Sequence, residues 1–302
     1  MPQTPRWTDI PKYPVIVGVG ILATAVTTAW WAGADISPLF ASGYIRRGQF
    51  WRLFTSIFPH LDILHLAFNL YWLWIFGTVL ERIFGHTKTA LLILLFAFGS
   101  SSLDFALDRG GVGLSGAGYG LFGLLWVLSA RDERFRDAID QRTVKLFVAW
   151  FFFCIITTIS GAYPVANVAH AAGATLGILT AYALTLPSHR LQISAAIAAI
   201  FIFGIWGDTL GRPIVNLSTK VGYEEGKWGY DALVAGRNDE AVKWLRDGVK
   251  FRPKEPTYWY NLGIAYHHVG NLPAAIAAYR RAHELEPNNS DYAKAAEETN
   301  SN

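Results

Sequence analysis

Apolar residues in this chain gather into blocks of about span length, separated by short charged loops, and the blocks stop near residue 207. A helix needs about 20 mostly apolar residues to cross a hydrocarbon core about 30 Å thick. Residues 13–34 carry no charge and meet that length, and 61–80, 89–107 and 110–130 follow as second, third and fourth candidate spans. Residues 146–189 contain no Asp, Glu, Lys or Arg, a run too long for one crossing. The turn-forming stretch 160–164, Ser-Gly-Ala-Tyr-Pro, divides it into two. Residues 191–207 are a seventh and shorter block of 17 residues. The pattern predicts an all-α protein: residues 1–210 form a polytopic membrane bundle of six core spans plus a seventh, and 211–302 form a separate domain.

The second part has another periodicity. Gly229, Gly236, Ala241, Arg246 and Pro253 recur 34 residues later as Gly263, Gly270, Ala275, Arg280 and Pro287. Trp259, Leu262, Gly263 and Tyr266, followed by Ala275, Tyr279, Ala282 and Pro287, resemble the tetratricopeptide pattern of paired helices. The first copy departs from it, with Glu225 and Trp228 where Trp and Leu are expected. Two copies fall short of the usual minimum of about three, so residues 290–298 are expected to form a capping helix. Such a domain either packs on itself alone or offers a groove to a peptide or partner protein.

Charge sharpens this division. Residues 1–207 hold 14 Lys/Arg and 10 Asp/Glu, whereas the 95 residues of 208–302 hold 12 and 13. The first composition suits hydrocarbon and the second water. No basic stripe or zinc-ligand spacing points to nucleic acid. Cys154 is the single cysteine, so no intramolecular disulfide forms. Arg6 and Lys12 precede the first block, which is longer than a signal-peptide core and reads as a retained span. With seven spans, ten loop Lys/Arg fall on the N-terminal side and four on the other. That bias predicts a cytoplasmic N-terminus and an extracytoplasmic C-terminal domain, in what is read as a bacterial plasma membrane. A last block lying along the interface would leave that domain cytoplasmic.

Polar side chains at membrane depth face a protein interior or a water-filled cavity. His60, His65 and Asn69 accompany the second span, and His65 and Asn69, four apart, share one helix face. Ser115 enters the glycine-rich fourth block, and His170 lies in the sixth. Each has an ordinary structural reading: serine bonds back to its own helix, histidine or asparagine joins helices, glycines allow close packing. Together they supply a hydroxyl, an imidazole able to take its proton near pH 7, and two donors suited to a developing oxyanion. The backbone N–H of Ser115 would be a third donor. Gly173 and Gly177 offer a small-residue face on the sixth span for the fourth. No acid partner for His170 is evident, so a dyad is read. No third ligand accompanies the histidines at metal spacing, so neither metal nor other cofactor is expected.

In order along the chain these residues resemble the rhomboid intramembrane protease family over roughly residues 40–185. Phe50-Trp51-Arg52 resembles the first-loop pair thought to be structural, and His60, His65 and Asn69 the second-span pattern, with His65 and Asn69 in the oxyanion site. Gly113-Leu114-Ser115-Gly116 resembles the nucleophile motif, Tyr119 the tyrosine that stacks on the catalytic histidine, and Ala169-His170-Ala171-Ala172-Gly173 the base motif. The resemblance implies a six-helix bundle around a water-accessible cavity open to the extracytoplasmic side. It also implies serine endopeptidase activity on single-span membrane-protein substrates. A rhomboid-like protein that binds spans without cutting them is the alternative. Such proteins typically lack the serine or the histidine, and this chain has both.

Overall fold

The computed structural model describes residues 7–218 and 221–301. Arg6, counted above among the flanking charges, lies outside the described residues. The chain divides into two compact units, Met1–Asn216 and Leu217–Asn302. Among the described residues every regular element is helical.

The first unit has seven long helices: α1 Pro14–Trp31, α2 Ile63–Phe84, α3 His86–Leu107, α4 Ser115–Arg131, α5 Gln141–Ile159, α6 Asn167–Thr185 and α7 Arg190–Asp208. All but α4 are long and apolar enough to cross a membrane. The seventh block reaches that length because the helical stretch Pro187–Asp208, 22 residues, takes in charged residues at both ends. Leu64, Leu91, Ile156, Leu191 and Ile202 are exposed on the outer faces, an apolar surface that suits lipid and not water. Inside, Trp72, Phe76, Phe122 and Phe147 form the centre of the buried cluster.

Local sequence sets where the helices begin. The Asp62 carboxylate accepts from the His65 N–H at 2.9 Å, and Asp140 accepts from Thr143 at 2.8 Å, each capping the helix that follows. Buried Glu81 caps α1 from α2, accepting from Val15 and Ile16 at 2.9 and 3.1 Å. The fourth block differs most from its sequence pattern. Its apolar run starts at residue 110, yet α4 starts at Ser115. Gly110 and Gly113 take φ of +86° and +104°, outside the helical region, so residues 110–114 form a loop.

The closest helix pair is α4 with α6. A Cβ on Gly173 would collide with the carbonyl oxygen of Gly116, one on Gly177 with that of Gly120, and one on Gly123 with that of Ala174. The two backbones are therefore in direct contact. After α7 the chain turns back onto the end of α3. Asp208 accepts from the Ser102 hydroxyl at 2.6 Å, and the Arg212 guanidinium lies 3.6 Å from the Phe105 ring centre and donates to the Phe105 carbonyl. Asn216 donates to the carbonyls of Ala106 at 3.0 Å and Asp108 at 2.5 Å. These side chains satisfy carbonyls that the end of α3 leaves without intrahelical partners, which is why the first unit runs past residue 210 to Asn216.

The second unit is built of α8 Tyr223–Val234, α9 Asn238–Phe251, α10 Pro256–His268, α11 Leu272–Leu285 and α12 Ser290–Ser301. The 34-residue period has a packing cause. Gly229 faces Leu245 and Gly263 faces Tyr279, sixteen residues on in both cases. Gly236 and Gly270 turn the chain between paired helices with φ of +72° and +76°. In the divergent first copy Glu225 is buried and the Trp228 ring lies 4.8 Å from that of Trp244. Tyr292 of α12 is buried with its ring 4.8 Å from that of Tyr260, closing the end of the repeat stack.

The backbone contact between α4 and α6 gives a stability prediction. Gly173→Ala and Gly177→Ala each force atoms into a carbonyl and should lower the unfolding free energy by about 1–3 kcal/mol or more. Gly118 has no atom within 4 Å of its added Cβ, so Gly118→Ala should leave the thermal midpoint unchanged or raise it. Thermal unfolding of the three variants in one detergent checks the contrast, and equal midpoints would contradict it.

Candidate active site

Ser115 is the first residue of α4 and His170 lies in the first turn of α6, so the close packing of these helices brings the two together. His170 Nε2 is 2.8 Å from Ser115 Oγ. At that distance an imidazole nitrogen takes the hydroxyl's proton as it attacks. Tyr119, one turn further along α4, stacks on the His170 ring with centroids 4.6 Å apart and planes 25° apart. Its own hydroxyl donates to the Phe147 carbonyl at 3.2 Å. His170 is buried, and its Nδ1 has no hydrogen-bond partner among the described residues.

The N-terminus of α4 is electrostatically suited to a developing anion. The first intrahelical bond runs from Gly118 N–H to the Leu114 carbonyl at 2.8 Å, so the N–H groups of Ser115, Gly116 and Ala117 lack intrahelical acceptors. They also sit at the positive end of the helix dipole. Asn69 donates one amide hydrogen to the His65 carbonyl at 2.8 Å and keeps a second. It lines a pocket shared with Ser115, Leu114, Tyr119, Trp72 and Phe147. His65 Nδ1 faces the Leu61 N–H at 3.4 Å; as acceptor there, it leaves the ring hydrogen on Nε2. That nitrogen points to Gly113, where any side chain would collide with it.

His60 works on the loop and not on the hydroxyl. Its Nδ1 is 2.9 Å from the Phe58 carbonyl, which can only accept, so Nδ1 carries the hydrogen and Nε2 accepts from the Leu114 N–H at 3.3 Å. The ring also lies edge-on to His65, 4.8 Å away. Gly113 N–H donates to the Ser56 carbonyl at 3.2 Å. Gly116 faces Ser100 and Ala169, so a side chain there would push α3 and α6 from α4. Arg52 of the Phe50-Trp51-Arg52 stretch is buried, donating to the carbonyls of Ser37 at 2.7 Å and Phe40 at 3.1 Å, far in the chain from Ser115. Among the described residues no three His, Cys, Asp or Glu side chains come together so as to hold a metal ion.

Two features escaped the sequence reading. Asp104, noted there by neither motif nor spacing, is buried beside the start of α6 and accepts from the Ala169 N–H at 3.2 Å. Its signal was present: an ionisable residue inside a span is costly and calls for a reason. The second is a strap between loops. Tyr163, in the turn before α6, donates to Asp62 at 2.6 Å, and this bond together with the His65 N–H holds the Asp62 carboxyl below its usual range.

A family model described as Rhomboid domain matches residues 47–187, and models described as Tetratricopeptide repeat and TPR repeat match 256–289 and 234–270. Residues 47–187 thus resemble a rhomboid domain, and the residues after 234 resemble tetratricopeptide repeats. Among curated proteins it is similar to Rhomboid protease GluP of Bacillus subtilis (strain 168), 27% identical over 261 residues that cover 74% of this chain and 50% of that protein. It is also similar to Rhomboid protease GlpG of Yersinia pseudotuberculosis serotype I (strain IP32953), 29% identical over 184 residues covering 59% and 60%. Rhomboid protease GlpG of Yersinia pestis (strain Pestoides F) is 30% identical with the same coverage. The alignments thus span half to three fifths of these relatives' lengths. The six apolar helices and the similarity to rhomboid proteases together make this an integral membrane protein.

His60 supports the loop that leads to Ser115. His60→Ala removes the acceptor of the buried Leu114 N–H, and an unmet buried donor costs about 1–3 kcal/mol. The variant should unfold at lower temperature than wild type in the same detergent. A midpoint within experimental error of wild type would show that the bond carries no stability.

Proposed function

We propose that the protein is an intramembrane serine protease that cleaves single-span membrane proteins. The observation that carries this reading is the 2.8 Å contact between Ser115 Oγ and His170 Nε2, inside a rhomboid domain whose relatives are named rhomboid proteases. In this reading His170 takes the Ser115 proton as the oxygen attacks the scissile carbonyl, then returns it to the leaving amine. The resulting oxyanion accepts hydrogen bonds from the Ser115 backbone N–H, the free amide hydrogen of Asn69 and His65 Nε2–H. Tyr119 fixes the imidazole plane, Gly113 and Gly116 allow the loop and helix to approach, and His60 holds the loop.

Depth agrees with such a substrate. The 17 residues of α4 measure about 25 Å, less than the hydrocarbon core of about 30 Å. With Arg131 at one interface, Ser115 lies within the apolar layer, where a transmembrane segment presents its backbone. The same reading extends to topology. Seven crossings with the basic loops inside would put the N-terminus in the cytoplasm, in a bacterial plasma membrane, and the repeat unit outside, where it would bind a protein segment and raise its concentration near the protease.

Ser115→Ala and His170→Ala should each abolish cleavage of a reporter transmembrane substrate while leaving the fold intact, because jointly required groups each carry most of the rate. Asn69→Ala should lower turnover about 100- to 1,000-fold and spare fluorophosphonate labelling of Ser115 better than Ser115→Ala does. Near wild-type cleavage by either dyad variant sinks the reading, and activity lost to a chelator and restored by zinc would point to metal instead. For topology, a cysteine replacing Asn288 should react with an impermeant thiol reagent in intact cells. Reaction only after lysis would place the repeats in the cytoplasm. Deleting residues 219–302 should leave reporter cleavage in place while weakening selection of a natural partner.

A further inference from the structure

The helix that carries His170 starts without a cap of its own. Its N-cap is Ala166, whose methyl group accepts no hydrogen bond, so the first N–H groups of α6 need an acceptor from elsewhere. Asp104 of α3 supplies it. One carboxylate oxygen accepts from the Ala169 N–H at 3.2 Å, next in sequence to His170. The other carboxylate oxygen faces Gly111, in the loop that ends at Ser115. Asp104 is only 2% exposed. Gly111 is wedged between Asp104 and Ala166, and a Cβ there would collide with Ala166 and press on an Asp104 oxygen. A single buried carboxylate thus joins the segment ahead of the nucleophile to the segment ahead of the base.

We propose that Asp104 is a positioning residue for the dyad, holding the 110–114 loop and the first turn of α6 in one fixed relation through its hydrogen bond to the Ala169 N–H and its packing against Gly111. The proposal rests on the protease reading, because it gives Asp104 a role in the reaction through Ser115 and His170. A carboxylate suits this place for three reasons. Either of its oxygens can accept from the Ala169 N–H, negative charge is favoured at a helix N-terminus, and when ionised it has no hydrogen of its own to confront a donor. Asp104→Asn keeps the shape but replaces one oxygen with an NH2, so either the Ala169 N–H loses its acceptor or an NH2 is turned against Gly111.

Asp104→Asn should lower kcat on a reporter transmembrane substrate about 10- to 100-fold, in keeping with misplacement of reacting groups by about an ångström, with KM changed less than about threefold. Amide hydrogen exchange should rise in both segments, 109–115 and 166–172, in this one variant. Ser102→Ala is the control. It removes a buried hydrogen bond two residues away on the same helix, but one that leads to Asp208 and to neither segment. It should lower the thermal midpoint while keeping kcat within about twofold and leaving exchange in both segments unchanged. Glutamate at 104 keeps both oxygens on a longer arm and should recover part of the kcat that asparagine loses.

Wild-type kcat in Asp104→Asn overturns the inference, as does unchanged exchange in either segment. So does a loss of kcat in Ser102→Ala that matches the loss in Asp104→Asn for equal loss of stability, because both would then report general loosening. A wild-type protein that neither cleaves the reporter nor reacts with a fluorophosphonate sinks the protease reading and this inference with it. A wild type that does both, beside an Asp104→Asn variant equally active, sinks this inference alone.

Discussion

The direct contact of the α4 and α6 backbones is the constraint on which the rest of the membrane unit depends. Lipid offers no hydrophobic drive between apolar helices, so association there relies on close packing and hydrogen bonds. Gly123 on one helix, with Gly173 and Gly177 on the other, puts backbone directly against backbone. Contact that close fixes register as well as distance. Sliding one helix by a single residue moves it about 1.5 Å, enough to take Ser115 and His170 from 2.8 Å to beyond a useful hydrogen bond. Glycine is a poor helix former in isolation, and the packing it allows offsets that weakness here.

Around this contact most polar side chains serve backbone, not substrate. A loop at membrane depth is tolerated only where its N–H and C=O groups find partners within the protein. Residues 110–114 form such a loop. The Ser56 carbonyl receives Gly113 and His60 receives Leu114, while Asp104 packs against Gly111. Thr27 and Trp31 of α1 reach the same region, Thr27 donating to the Phe58 carbonyl at 3.2 Å and Trp31 to the His60 carbonyl at 3.2 Å. The number of polar groups near Ser115 therefore reflects an unwound segment that must be satisfied, and only a few of them face the pocket.

This explains what the sequence disclosed and what it concealed. Helices that extend through hydrocarbon are legible as charge-free blocks, since a charge in mid-span is costly. The start of α4 is not, because Gly110 and Gly113 count as apolar while their positive φ ends the helix. The ends of α7 were concealed for the opposite reason. Arg190 donates to the Ala183 carbonyl of α6 and Asp208 accepts from Ser102 of α3, so both charges find partners on neighbouring helices and belong to α7 instead of marking its limits. Ser115, His170, Tyr119 and Asn69 were legible from residue type and family pattern. Asp104 was not, because its partners are backbone N–H groups, which carry no signature in side-chain identity. The first repeat was obscured likewise, since Glu225 and Trp228 fill by local packing positions that the pattern assigns to other residues.

The last two turns of α3 join these observations. On one side they carry Ser100 against Gly116 and Asp104 against Gly111 and Ala169, and on another Ser102 against Asp208. Their terminal carbonyls receive Arg212 and Asn216. The seventh helix is thus bonded to the same short stretch that organises the loop before Ser115. Asn216, the end of the membrane unit, donates to the carbonyl of Asp108, two residues before that loop begins. The chain therefore leaves the membrane unit on the face from which the 110–114 loop descends to Ser115. That conclusion comes from hydrogen bonds alone and is independent of any count of loop charges.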